Sequence, residues 1–226
     1  QKQKGLSFIL VQFLLLIAAY YSLNNNFSPS YSAYTLNEFT NIFKFILLVG
    51  SLTIFHYTYK HLKFLKILKI EYFTISLLGL IGTMIMISAN SLLMLYLGIE
   101  LLSLSLYALI GFNKKSSLSS EAAIKYYVLG AMSSGILLFG ISLIYGFTGS
   151  IAYDDIASQL INIDMDSVDY IAIIFGIIFI TASLCFKFGA APFHMWVPDV
   201  YQGSLISTTI LLSTLPKIAV FIVFLK

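Results

Sequence analysis

Five side chains in or beside long apolar runs are candidates to carry protons together: Glu100, Lys125, Lys187, His194 and Lys217. A charge at the centre of a bilayer costs ~2.5–3.5 kcal/mol on insertion scales, so such residues tend to mark ion or proton paths. Burial disfavours the charged form of glutamate and lysine alike, and a nearby opposite charge favours it. A Glu and a Lys in one apolar layer can therefore exchange a proton as their separation changes, and such a pair titrates as a unit. Glu100 and Lys217 each lie near the middle of an apolar run. Lys187 stands where the run 170–188 breaks at Gly189 and Pro192. His194, inside the break, could pass protons through waters. Each residue also has a plainer reading. Glu100 could be a neutral acid in one interhelical hydrogen bond, and Lys217 a fixed salt-bridge anchor. Lys187 could extend to the interface, Lys125 could pair with Glu121 one turn earlier, and His194 could simply hold the break.

A broken helix at membrane depth needs protein or a watery cavity around its freed backbone groups. The rest of the chain must supply that setting. Of its 226 residues 59% are hydrophobic and 10% charged, with a mean hydropathy of +0.92, which points to an all-α multi-pass membrane protein. About 20 apolar residues cross a bilayer. Seven such segments are expected, at about 6–23, 39–59, 72–88, 91–112, 119–147, 170–188 and 204–225.

Lysine placement orients them. Lys2 and Lys4, the stretch 60–69, and Lys114 with Lys115 all fall on one side if seven segments alternate. The positive-inside rule puts that side in the cytoplasm or the mitochondrial matrix. In 60–69 a lysine recurs every third residue, which fits either an amphipathic surface helix on anionic lipid or a basic loop. Gly79 and Gly82, and the patch Gly130, Ser133, Ser134 and Gly135, suit close helix packing. Ser88-Ala89-Asn90 reads as a tight turn, and Ser119 or Ser120 as the cap of the fifth segment. The acidic stretch 148–169 lacks the glycine and terminal glutamate of a calcium loop, so it reads as a solvated loop, with a helix start near Asp166.

Several classes are excluded. The 13 basic residues are dispersed, so no nucleic-acid partner is expected. One cysteine, Cys185, precludes an internal disulfide, and with no CxxC it offers no thiolate cluster for iron–sulfur or zinc. His56, His61 and His194 are too scattered for a haem or metal site, so the expectation is no metal and no cofactor in this chain. All the basic residues are lysine, and Lys, Asn, Phe, Ile and Tyr have A/T-rich codons, which suggests an A/T-rich genome, such as an organelle's. With no initial Met a trimmed start is expected, and no cleavable signal is evident.

The run from Phe186 to Gly203, followed by Pro216-Lys217-Ile218-Ala219, resembles subunit 2 of respiratory NADH:ubiquinone oxidoreductase (complex I), of the antiporter-like family shared with multisubunit Na⁺/H⁺ antiporters. Leu97 to Tyr107 and Glu121 to Tyr127 extend the resemblance, which covers about Tyr72 onward. It implies that Glu100 is the intramembrane glutamate, Lys187 the lysine of a broken helix and Lys217 the central relay lysine, with Lys125 a further one. It implies N-terminal helices over 1–70 and a first five-helix repeat over 71–226. It also implies protons moved while electrons flow in other subunits, in the mitochondrial inner membrane, beside other membrane-arm subunits. Family members carry a second, inverted repeat, so the expectation is the first half of a split subunit 2 completed by a separate chain. Two alternatives are kept: a Na⁺/H⁺ antiporter subunit, and a membrane scaffold without transport.

Overall fold

The computed structural model describes residues 2–24, 33–162 and 168–226. Among them the chain forms nine helices and no sheet. These are α1 (Lys2–Asn24), α2 (Glu38–Phe64), α3 (Ile70–Ser88), α4 (Leu92–Ile110), α5 (Ser117–Thr148), α6 (Tyr153–Asn162), α7 (Val168–Phe188), α8 (Trp196–Gly203) and α9 (Ile206–Phe224). Six of them, α2, α3, α4, α5, α7 and α9, are long and apolar enough to cross a membrane. The first expected segment is α1, whose apolar stretch Phe8–Leu23 is shorter. It is fastened to α2 by Phe8 stacking on Tyr59 at 4.3 Å. The expected all-α multi-pass fold, with its break after Phe188, is the observed one.

Small residues set two close helix contacts. In α3 and α4, a Cβ on Gly82 would stand 2.7 Å from the Leu102 amide nitrogen, and one on Gly98 2.9 Å from that of Met86. In α5 and α7, a Cβ on Gly140 would meet the Gly176 carbonyl at 2.7 Å, and one on Gly176 the Gly140 carbonyl at 2.9 Å. Backbones that close gain dispersion contact over the whole crossing, the main force available where lipid is as apolar as the helix. One turn of polar clasp adds to it: the Ser133 and Ser183 hydroxyls meet at 2.8 Å, and Ser183 also donates to the Ser133 carbonyl at 2.8 Å. Gly135, of the same expected patch, faces open space.

The helix ends confirm the alternating sidedness. On the acidic side, Thr35 N–H donates to the Ser88 carbonyl, Asn90 N–H to that of Ala33, and Leu92 N–H to that of Ile151. Lys226, at the far end of α9, reaches the Ala89 carbonyl there at 2.9 Å. On the basic side, Ser119 donates to the Ile110 carbonyl at 2.6 Å, and Thr208 at the start of α9 approaches that of Leu109 at 3.4 Å.

Three local readings are refined. Of the two readings of 60–69, a separate surface helix is not seen, and the loop is short: Lys60 and Lys63 lie in the end of α2, and Lys69 stands at the N-cap position of α3. Between them Lys66 sits at φ 57, with Ile67 N–H bonded to the Leu62 carbonyl and Lys66 N–H to that of Lys63. That is a left-handed helix stop of the kind glycine usually makes. The cap of α5 is Ser116, whose Oγ accepts from Ser119 N–H, because the helix begins one turn earlier than expected. The acidic stretch is more than a loop, since Tyr153–Asn162 forms α6 and buries Ile156. Asp164 and the expected helix start at Asp166 lie outside the described residues.

Candidate functional site

Glu100, Ser103 and Tyr107 share one face of α4, at spacings of three and seven residues. Lys187, in the last turn of α7, meets that face and is only 6% exposed. Its ammonium donates to Ser103 Oγ at 2.7 Å and approaches the Tyr107 hydroxyl at 3.4 Å. Ser103 gives its own proton to the Ile99 carbonyl at 2.6 Å, so toward Lys187 it serves as an acceptor. The carboxylate of Glu100 is close enough for its charge to act on both Lys187 and Tyr107. It makes no ion pair, however. Among the described residues the pairs within 4 Å belong to Lys125 alone. Glu100 Oε1 is buried and accepts no hydrogen bond from the described residues.

The break after Lys187 is built in detail. Gly189 takes φ +73. Its N–H donates to the Phe186 carbonyl and that of Ala190 to the Cys185 carbonyl, both at 3.0 Å. These two bonds close two of the orphan carbonyls at the end of α7. The Ala191–Pro192 peptide is cis. Trp196, which opens α8, donates its indole N–H back to the Phe186 carbonyl at 3.0 Å. The short helix α8 then continues toward the basic side.

Lys217 reaches the break from α9. Its ammonium lies 5.2 Å from the Phe188 ring centre and 5.8 Å from that of Trp196. Pro216, just before it, has no N–H to give the Leu212 carbonyl, so the helix is loosened where the lysine stands. Lys187 and Lys217 thus flank the same turn, one hydrogen-bonded and the other held over aromatic faces.

The remaining two expected residues sit elsewhere. Lys125 pairs with Glu121, as the spacing suggested, and also with Asp199 of α8, each at 2.8 Å. It is largely exposed and ties α5 to α8 rather than joining Lys187. His194, within the break, is exposed.

Sequence reasoning passed over Ser103, Tyr107, Trp196 and Lys44. The first two were readable from their helical spacing to Glu100. Lys44 lies in the second apolar run and is buried, with its ammonium 5.3 Å over the Tyr34 ring. An apolar run interrupted by one lysine was the same signal that marked Lys217.

The family model described as NADH:quinone oxidoreductase/Mrp antiporter, transmembrane, matches residues 89–226. The chain belongs to that family. Helices α4 to α9, with Glu100, Lys125, Lys187, His194 and Lys217, all fall in the matched stretch. Among relatives in the family, subunit N of NADH-quinone oxidoreductase from Ruthia magnifica subsp. Calyptogena magnifica is 41% identical over 99% of this chain and 47% of its own length. A chain of respiratory complex I from Thermus thermophilus superposes with a TM-score of 0.77 at 26% identity, over 99% of this chain and 47% of that one. The Mrp complex from Dietzia sp. shares the fold, with a TM-score of 0.76 at 18% identity, over 99% of this chain and 44% of that one. The chain spans about half the length of the curated relatives it matches.

Proposed function

We propose that this chain is part of a proton-translocating membrane-arm subunit of an NADH:quinone oxidoreductase. It carries a segment of an intramembrane relay through Glu100, Lys187 and Lys217, with Lys125 and His194 flanking it. The observation that carries this reading is the setting of Lys187. A buried ammonium is held by two neutral hydroxyls on the Glu100 face of α4, with the carboxylate in range but not locked to it. A structural ion pair would close that gap. A relay needs it open, since a locked pair keeps its proton.

In this reading α3, α4, α5, α7 and α9 form the first five-helix repeat, and α1 and α2 precede it. The half of the relatives' length that this chain does not span would carry the path onward. The chain would act beside other membrane-arm subunits, with electron transfer taking place in other subunits of the complex. The relatives named above are bacterial, and their subunit N corresponds to the place that the motif resemblance gives to subunit 2. The all-lysine composition fits an A/T-rich genome, of which an organelle's, and with it the mitochondrial inner membrane, is one case; a bacterial plasma membrane has the same sidedness.

The test is proton translocation driven by NADH in the assembled complex, with Glu100→Ala and Lys217→Ala. Lost pumping with the complex still present supports the relay. Unchanged pumping would leave only a scaffold. A second reading, a subunit of a Na⁺/H⁺ antiporter, draws on the matched family's own description, which names both kinds of protein. Co-purification with flavin and iron–sulfur subunits favours the oxidoreductase, and purification without them favours the antiporter.

A further inference from the structure

The phenol of Tyr107 is placed with more care than packing alone requires. Its hydroxyl stands 3.4 Å from the Lys187 ammonium, which also lies 5.8 Å from the centre of its ring. That hydroxyl fills the space where a side chain on Gly130 would begin. A Cβ there would overlap the tyrosine oxygen and stand 2.8 Å from Cζ. Two neighbours on α5 fix the ring edge-on, Tyr126 at 5.0 Å and Tyr127 at 5.6 Å. Tyr126 is fully enclosed and packs on Trp196 at 4.7 Å, and Trp196 lies 5.8 Å beneath Lys217. One run of aromatic rings therefore has a lysine ammonium at each end.

We infer that Tyr107, seated in a notch provided by Gly130, is a positioning residue for Lys187, and that the run through Tyr126 and Trp196 places Lys217 relative to it. The inference rests on the relay reading above. An ammonium has three N–H donors and no acceptor, while a phenol can both accept and donate. Ser103 satisfies one donor of Lys187 and has its own proton committed to Ile99. Among the described residues Tyr107 is the second hydroxyl partner, and its proton can turn toward the amine once the lysine has released its own. Without it the lysine keeps a single anchor and spends less time between Glu100 and the break.

The test compares Tyr107→Phe, Gly130→Ala, Lys187→Ala and the double variant Tyr107→Phe/Lys187→Ala in native membranes holding the assembled complex. The readouts are proton translocation driven by NADH and the amount of complex. Phenylalanine keeps the ring contacts and removes the hydroxyl alone. Tyr107→Phe is expected to slow translocation about fivefold, the scale of one long hydrogen bond to a charge, with the complex at normal levels. Gly130→Ala, which evicts the hydroxyl, should give a similar defect. The double variant should be no worse than Lys187→Ala, because Tyr107 acts only through Lys187. A merely structural tyrosine would give additive losses. Normal translocation by Tyr107→Phe beside a failed Lys187→Ala, or additive losses in the double variant, would overturn the inference and leave the relay standing. Normal translocation by Lys187→Ala would overturn both.

Discussion

The ammonium of Lys217 lies 2.8 Å from the point where a Cβ on Gly189 would stand. A residue in α9 and the first residue past the end of α7 therefore share one small space. Gly189 is required twice over, for its φ of +73 and for the room it leaves. Gly189→Ala should cost ~1–2 kcal/mol for the left-handed backbone and also displace Lys217. The expected outcome is a complex that assembles at reduced level and translocates protons poorly even per complex. Quantifying translocation against the amount of complex separates the two effects. A loss confined to assembly would mean that the room beside Lys217 is irrelevant.

Ser103 makes the shortest contact to Lys187, so removing its hydroxyl should matter more than removing that of Tyr107. A hydrogen bond to a charged group contributes ~1.5–3 kcal/mol. Ser103→Ala is expected to slow proton translocation roughly tenfold or more, and Ser103→Thr to restore most of it. Parallel rates of both variants in the same membranes check this. Equal rates for alanine and threonine would show that Lys187 does not depend on that oxygen.

The contact of Gly140 with Gly176 predicts a different phenotype. Overpacking a filled interface costs ~1–3 kcal/mol. Gly176→Leu would drive a side chain into Ile144 and the Gly140 carbonyl, so α5 and α7 should separate. The amount of assembled complex should fall, while translocation per surviving complex stays near normal. Native gel quantification beside turnover measures both.

Lys125 offers a test of mechanical coupling. It holds Glu121 and Asp199 together across α5 and α8 at an exposed position. Lys125→Met and Asp199→Asn should therefore weaken the complex to a similar extent. Raising ionic strength should narrow their difference from the unaltered protein, because exposed pairs are screened by salt. A Lys125→Met defect unmatched by Asp199→Asn would instead mark the lysine as a proton carrier.

Much of this is legible in the sequence. The apolar runs gave the crossings because a bilayer imposes length and composition on every span. Gly189, Pro192 and Lys187 gave the break. Glu100, Ser103 and Tyr107 share a face by simple helical spacing. The notch at Gly130 was not legible, because it exists only where α5 meets α4. The helix stop at Lys66 was hidden too: the left-handed position is filled by a residue that does not advertise it. The short helix α6 was masked by its acidic content. Its apolar stripe of Tyr153, Ile156 and Leu160 was nevertheless present, at the spacing that seats one helical face on the bundle.

The stitched loops on the acidic side bear on where foreign sequence can be placed. Ala33, Thr35, Ser88, Asn90, Leu92 and Ile151 trade backbone bonds across three separate connections. An epitope inserted at Asn90 would cut several of these bonds at once, although the position reads as an ordinary turn. Between Lys114 and Lys115, both exposed, an insert has little to disturb. A tag there should leave the complex intact and report, by antibody access in sealed vesicles, which face of the membrane the basic side occupies.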